Sequence, residues 1–169
     1  YNLVTMFADR GFRFNLGARF VDTKTTGQGW LSSSISNTET NDYNDLLPAM
    51  NVAFDITPEV VLRAGVSRSM TRPSLANLAP VKAYGNTNLT VTGGNSQLEP
   101  LRSNNVDIGA EWYFSEKAVL GVSLFYKDIA APIETIEGSG TDDNITLTFI
   151  NADSAEIYGV EFEWLKGLG

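Results

Sequence analysis

The sequence predicts an all-β chain: an antiparallel, up-and-down transmembrane β-barrel, of which about seven strands are present. Three observations predict it. Apolar and polar residues alternate with period two in segments too long for ordinary soluble strands. The connections between those segments are short and long in strict alternation. The apolar faces end in aromatic rings beside the short connections.

Taken in chain order, the predicted strands are Asn2–Ala8, Phe12–Thr23, Leu46–Ile56, Val60–Thr71, Leu101–Phe114, Ala118–Ile133 and Ile145–Leu165, the last bulged near Asn151–Ser154. No segment carries a convincing helical period. Asp9-Arg10-Gly11, Thr57-Pro58-Glu59 and Ser115-Glu116-Lys117 are three-residue turns. Lys24–Asp45, Arg72–Pro100 and Ala131–Asn144 are long connections rich in Gly, Ser, Thr and Asn. In an up-and-down sheet this places every tight turn at one end and every long loop at the other.

The faces follow from parity. On Phe12–Phe20 the residues Phe12, Phe14, Leu16, Ala18 and Phe20 oppose Arg13, Asn15, Gly17 and Arg19. On Val106–Phe114 the residues Val106, Ile108, Ala110, Trp112 and Phe114 oppose Asp107, Gly109, Glu111 and Tyr113. Leu120–Tyr126 and Tyr158–Trp164 divide in the same way. A soluble sandwich would alternate too, with its apolar face inward. Strands of twelve residues and more, with no helix to cover a large apolar face, favour lipid, because a tilted membrane strand needs about 9–11 residues to cross the hydrocarbon. Phe12, Phe54, Trp112, Phe114 and Trp164 are then expected in a lipid-facing aromatic girdle.

Composition narrows the function. Charged residues are 19% of the 169, aromatics 11%, and the formal net charge is −8. The 12 Lys and Arg residues are scattered, which speaks against a nucleic-acid partner. The chain holds neither Cys nor His, which removes disulfides, thiolate metal sites and the commonest nucleophile–base pairs. Ser123 and Lys127 lie four residues apart on an extended strand, too far for direct proton exchange. No catalytic residue, metal ligand or cofactor is expected. Asp142, Asp143 and Asn144 lack the ligand spacing of a calcium loop and read as a solvated turn. No apolar run reaches the 18 or so residues of a transmembrane helix. A chain that opens at Tyr1 and stops at a turn-like Gly169 reads as a piece of a longer one.

Specific stretches add a resemblance. "LLPAMNVAFDITPEVVLRAGVSRSMTRPSLANLAP" (Leu46 to Pro80), "GNSQLEPLRSNNVDIGAEWYF" (Gly94 to Phe114), and "GVSLFYKDI" with the later "NADSAEIYGVEFE" resemble the barrel of TonB-dependent outer-membrane receptors, in the family's order. The resemblance implies a 22-stranded barrel with a plug and a TonB-contacting segment, both outside this sequence, so residues 1–169 are expected to be a partial barrel domain. It implies a bacterial outer-membrane location and energised uptake of a large nutrient, such as a carbohydrate oligomer or a siderophore. The expected partners are the TonB complex through regions absent here, outer-membrane lipid and lipopolysaccharide, and an extracellular ligand. A passive porin, or a soluble β-sandwich that binds carbohydrate, are the alternatives.

Candidate ligand-facing residues are Arg63 on the polar face, Arg72 where Pro73 stops a strand, and Tyr84, Asn86 and Asn88 in the following loop, where a ring and amides suit a hydroxylated ligand. Asn95 belongs to the same loop. Arg13, Arg19 and Arg63 suit an anionic ligand, yet cross-strand pairing with Asp107, Glu111, Glu161 or Glu163 is the stronger expectation for them.

Overall fold

The computed structural model describes residues 1–7, 9–32, 35–80, 82–84, 90–139 and 145–167. Seven strands form one antiparallel sheet in the order β1-β2-β3-β4-β7-β8-β11. They are β1 (Asn2–Phe7), β2 (Arg10–Ser32), β3 (Ile35–Thr57), β4 (Val60–Thr71), β7 (Leu101–Ser115), β8 (Ala118–Ala130) and β11 (Ser154–Lys166). Neighbours in this sheet are neighbours in sequence apart from two insertions, as an up-and-down wall requires. The sheet is not closed: β1 and β11 are its two edges.

The register fixes both faces across the whole wall. On one face Phe14 stands opposite Val52, Val52 opposite Ala64, Ala64 opposite Ile108, Ile108 opposite Leu124 and Leu124 opposite Val160. That face is left uncovered. Phe20, Ile108, Leu124 and Val160 are all more than half exposed. No second layer packs on it among the described residues, as the sandwich alternative would need.

The residues expected in the girdle share this face. Phe12 stands opposite Phe54, and Trp112 and Trp164 both face Leu120. The rings of Trp112 and Phe114 lie 5.3 Å apart, and Phe7 meets Phe54 edge-on at 6.5 Å. Nine residues from Val106 to Phe114 extend about 27 Å, or roughly 20 Å of height at a 40–45° tilt, close to the band a barrel presents to lipid.

The structure corrects the sequence in four places. The expected loop Lys24–Asp45 is strand over most of its length, since β2 and β3 pair from Phe12–Phe54 out to Ser32–Ile35 with one irregularity past Trp30. Threonine-rich arms have strand propensity but no apolar period, so hydrophobic alternation could not mark them. The other two long connections hold a second sheet, ordered β5-β6-β10-β9, built from β5 (Lys82–Tyr84), β6 (Thr90–Gly93), β9 (Ile133–Ser139) and β10 (Ile145–Asn151). Its β6–β10 pair is parallel, which joins two loops far apart in sequence.

The last predicted strand is also two strands in two sheets, broken at Ala152-Asp153 rather than bulged. The preceding strand breaks at Ala131, whose φ of 55° is left-handed, and the Ala152 amide donates to the Pro132 carbonyl at 2.8 Å to hold the corner. Finally, a single helical turn, α1 (Leu75–Leu78), follows Pro73, capped by the Ser74 hydroxyl, which accepts from the Asn77 amide at 3.2 Å.

Candidate ligand-facing wall

The polar face is concave and bounds a hollow of about 1240 Å³. Its residues fall into tiers set by the ladder. Nearest the tight turns lie Asp55, Glu111, Gly121 and Glu163; the next tier outward holds Arg13, Ala53, Arg63, Gly109, Ser123 and Glu161. Then come Asn15, Asn51, Gly65, Asp107 and Phe125.

Two arginines of the lower tiers are engaged by neighbouring acids. Arg63 donates from Nε to Glu111 Oε1 at 2.7 Å and from Nη2 to Oε2 at 2.9 Å, and the Tyr113 hydroxyl donates to the same carboxylate at 2.6 Å. Arg13 pairs with Asp55, donating from Nη1 at 3.1 Å in one of two bonds. Both are diagonal pairs. Arg63 directly opposes Gly109 and Arg13 opposes Ala53, and these small residues leave room for the guanidinium to reach the acid two positions on. Bidentate geometry fixes each fork, while half-exposed side chains keep its contribution to stability near about 1 kcal/mol.

Gly159 carries a different load. A Cβ there would come within 2.6 Å of the Phe125 ring, and Lys127 Nζ sits 5.9 Å above that ring.

The outer end is tied together around residues 94–100. Leu98 and Pro100 are the largest fully buried side chains among the described residues. The Asn41 amide donates to the Leu98 carbonyl at 3.1 Å, and Asn95 to the Phe149 carbonyl at 3.0 Å. Asn151 takes the Glu99 amide at 2.9 Å while donating to the Glu99 and Ala131 carbonyls, each at 3.0 Å. Ser96 bonds Glu39. Arg102 bridges Asp45 at 2.6 Å and Glu99 at 2.8 Å, with Asp45 itself almost wholly buried. Two long connections therefore bond to one short segment of the third.

Of the expected ligand-facing residues, Arg63 is held by Glu111, and Arg72 projects across β3 to the Thr23 hydroxyl at 3.1 Å. Tyr84 is in β5, on the second sheet. Asn86, Asn88 and the triplet Asp142, Asp143 and Asn144 lie outside the described residues. The structure does not bring Arg63 and Arg72 together: they stand at opposite heights of the wall. Sequence pattern did not reveal Asp45–Arg102, since the two residues are 57 positions apart and lie on strands that are not neighbours.

A family described as TonB dependent receptor-like, beta-barrel, matches residues 3–168. This chain belongs to the TonB-dependent receptors. Its sheet is a section of their outer-membrane barrel wall. The ferric enterobactin receptor of Pseudomonas aeruginosa is 28% identical over 107 residues, 56% of this chain and 14% of that protein. Its solved structure with enterobactin superposes with a TM-score of 0.59 at 20% identity, over 95% of this chain and 32% of that one. The hemophore receptor HasR of Serratia marcescens, solved with its hemophore HasA and heme, gives 0.63 at 15% identity over 96% of this chain and 30% of its own. The siderophore receptor PirA of P. aeruginosa gives 0.62 at 18%, over 90% and 30%. The chain thus spans about a third or less of the relatives it matches.

Proposed function

We propose that this chain supplies part of the wall and outer mouth of a receptor that captures an iron-bearing chelate or heme-type ligand outside the cell and takes it up with energy delivered through TonB. The plug and the TonB-contacting segment belong to other parts of the protein. What carries this reading is a polar, concave wall above the tight turns and, at the outer end, two long connections bonded to residues 94–100 of the third. A mouth held in shape before ligand arrives lowers the ordering cost of capture. The relatives' names point to iron: an enterobactin receptor, a siderophore receptor and a hemophore receptor.

Arg72, with Tyr84, Asn86 and Asn88 of the same connection, contacts ligand at the mouth, and Arg63 lines its route below. The wall needs to bind and release, so no chemical step is assigned to this chain.

Accumulation of iron-loaded enterobactin and of heme by cells expressing the full-length receptor, with and without TonB, tests this. TonB-dependent accumulation of either ligand is the expected result. Accumulation that equilibrates without TonB would make the protein a passive channel.

A further inference from the structure

From Val21 outward, the β2–β3 arm shows a period of two in burial that its polar sequence does not announce. On β2, Thr23, Thr25 and Gly27 are half-buried, while Asp22, Lys24, Thr26 and Gln28 are exposed. On β3, Asp45 is buried and Glu39 and Asn41 half-buried, while Thr40, Asp42 and Asn44 are exposed. The register is unbroken from Phe12 to Trp30, so the covered set shares the concave face with Arg13, Asn15 and Arg19, all exposed lower down. The concave face is therefore open below Val21 and covered above it.

The cover is the 72–100 connection, through residues 72–80 and 94–100. Arg72 Nη2 donates to Thr23 Oγ1 at 3.1 Å, Asn41 Nδ2 donates to the Leu98 carbonyl at 3.1 Å, and the Ser96 hydroxyl donates to Glu39. Pro80 lies against Gly27, where a Cβ would stand 3.0 Å from its ring. All four arm residues are on the concave side. The two stretches also close on each other: Gly94 backs onto Ala79, and the Asn95 amide donates to the Asn77 carbonyl at 2.6 Å. Pro73, Leu78, Pro80, Leu98 and Pro100 are buried between them and the arm, an apolar centre on an otherwise polar face.

The far side is tied as well. Asn95 bonds the Phe149 carbonyl, Asn151 bonds Glu99, and β6 pairs with β10 over four positions. The 131–153 connection leaves the wall at β8, three strand spacings or about 14 Å along the sheet from β3.

We infer that residues 72–80 and 94–100 are a fixed strut folded into the mouth. It stands on the concave face of the β2–β3 arm, is braced against the β9–β10 hairpin, and narrows the opening from this side before any ligand arrives. A layer packed face-on to a sheet stands about 10 Å from it, so the strut takes about that much of the opening. An incoming molecule meets the strut, while Thr25, Gly27, Glu39 and Asn41 behind it serve packing. Because both ends are bonded to strands, arm, strut and hairpin move as one body. The inference holds whatever the receptor takes up.

The test uses the full-length receptor in detergent, with native cysteines replaced. Single variants Thr25→Cys and Thr26→Cys place a thiol on the covered and the open side of the arm at one height. Without ligand, Thr25→Cys should react with a polar maleimide about tenfold more slowly than Thr26→Cys. Equal rates would overturn the inference. Nitroxide pairs at the exposed positions Asp42 and Gln97, and Gln97 and Glu137, read the brace independently. Each pair should give one narrow distance, unchanged when iron-loaded enterobactin or heme is added. Broad or doubled distances in the ligand-free receptor would overturn the inference. So would a distance that shifts with either probe, which would make the connection a moving lid and leave uptake standing. A receptor that accumulates neither probe would refute iron-ligand uptake, while the strut, read from ligand-free protein, would stand.

Discussion

At the scale of single residues, the sharpest constraints are where a side chain has no alternative. Asp45 is buried beneath Arg102, and its carboxylate keeps no water to fall back on. Removing Arg102 strands the buried Asp45 carboxylate, a loss of about 3–5 kcal/mol, whereas removing Asp45 leaves Arg102 its second partner, Glu99. Arg102→Ala should therefore destabilise the outer end by about that amount and the Asp45→Ala/Arg102→Ala double variant by less, measured by urea unfolding of the full-length receptor with hydrogen exchange in residues 35–45 and 94–102. A double-variant loss equal to the sum of the two single losses would mean the pair is not coupled. Gly94 is the second such residue: a Cβ would collide with the backbone of Ala79, which cannot swing aside as a side chain can. Gly94→Ala should open the 72–100 connection to protease while leaving the strands of the wall resistant.

At the scale of elements, the wall's two faces make opposite demands on the same strand. Leu124 lies on the apolar face of β8 and Ser123 on the polar face, beside Glu161. A charge at Leu124 would enter hydrocarbon, whereas one at Ser123 would enter water. Leu124→Arg should cost about 2–4 kcal/mol of folding stability in bilayers and Ser123→Arg less than about 1. Folding titrations into lipid vesicles read both, and similar costs would contradict the orientation of the sheet. Where β8 gives way to β9, Ala131 holds a left-handed backbone that a side chain disfavours. Ala131→Gly should raise the thermal stability of the outer hairpin slightly, since relief of that strain at about 1 kcal/mol or more outweighs the added freedom of glycine in the unfolded chain.

The strand pattern of the wall was legible because its physical cause is local. Lipid outside and water inside impose period two on every crossing strand, and that signal survives in Phe12–Phe20 and Val106–Phe114 without any knowledge of partners. The β2–β3 arms beyond Asp45 lost the signal, because both faces of that hairpin are polar. The second sheet was hidden for another reason: strands of three and four residues such as β5 and β6 are stabilised by neighbours from a distant loop, and their own sequence carries too few residues to show a period. At the polar face, sequence identified Arg63 and Arg72 as candidates but could not tell which arginines had acids within reach. That depends on diagonal register, which only strand pairing sets.

At the scale of the whole molecule, the open edges β1 and β11 and the uncovered apolar face have a single use, as one section of a wider barrel in lipid. Brominated lipids should quench Trp112 and Trp164 strongly in the full-length receptor once the other tryptophans are replaced, since both rings lie on the face opposite Arg63. Absence of quenching would put that face against protein.

The sequence by itself determined the strand count of the wall, which face is apolar, where the tight turns fall, and the family through motifs carried on those strands. These are properties of short stretches, each imposed by the solvent on either side of a single strand. The tertiary structure alone decided that Arg13 and Arg63 are held by Asp55 and Glu111, that Arg72 reaches Thr23, and that two outer connections bond to residues 94–100 of the third. Those facts depend on which residues meet across ladders and loops tens of positions apart. Such pairings are chosen by the packing of the assembled sheet, and a local pattern holds no record of them.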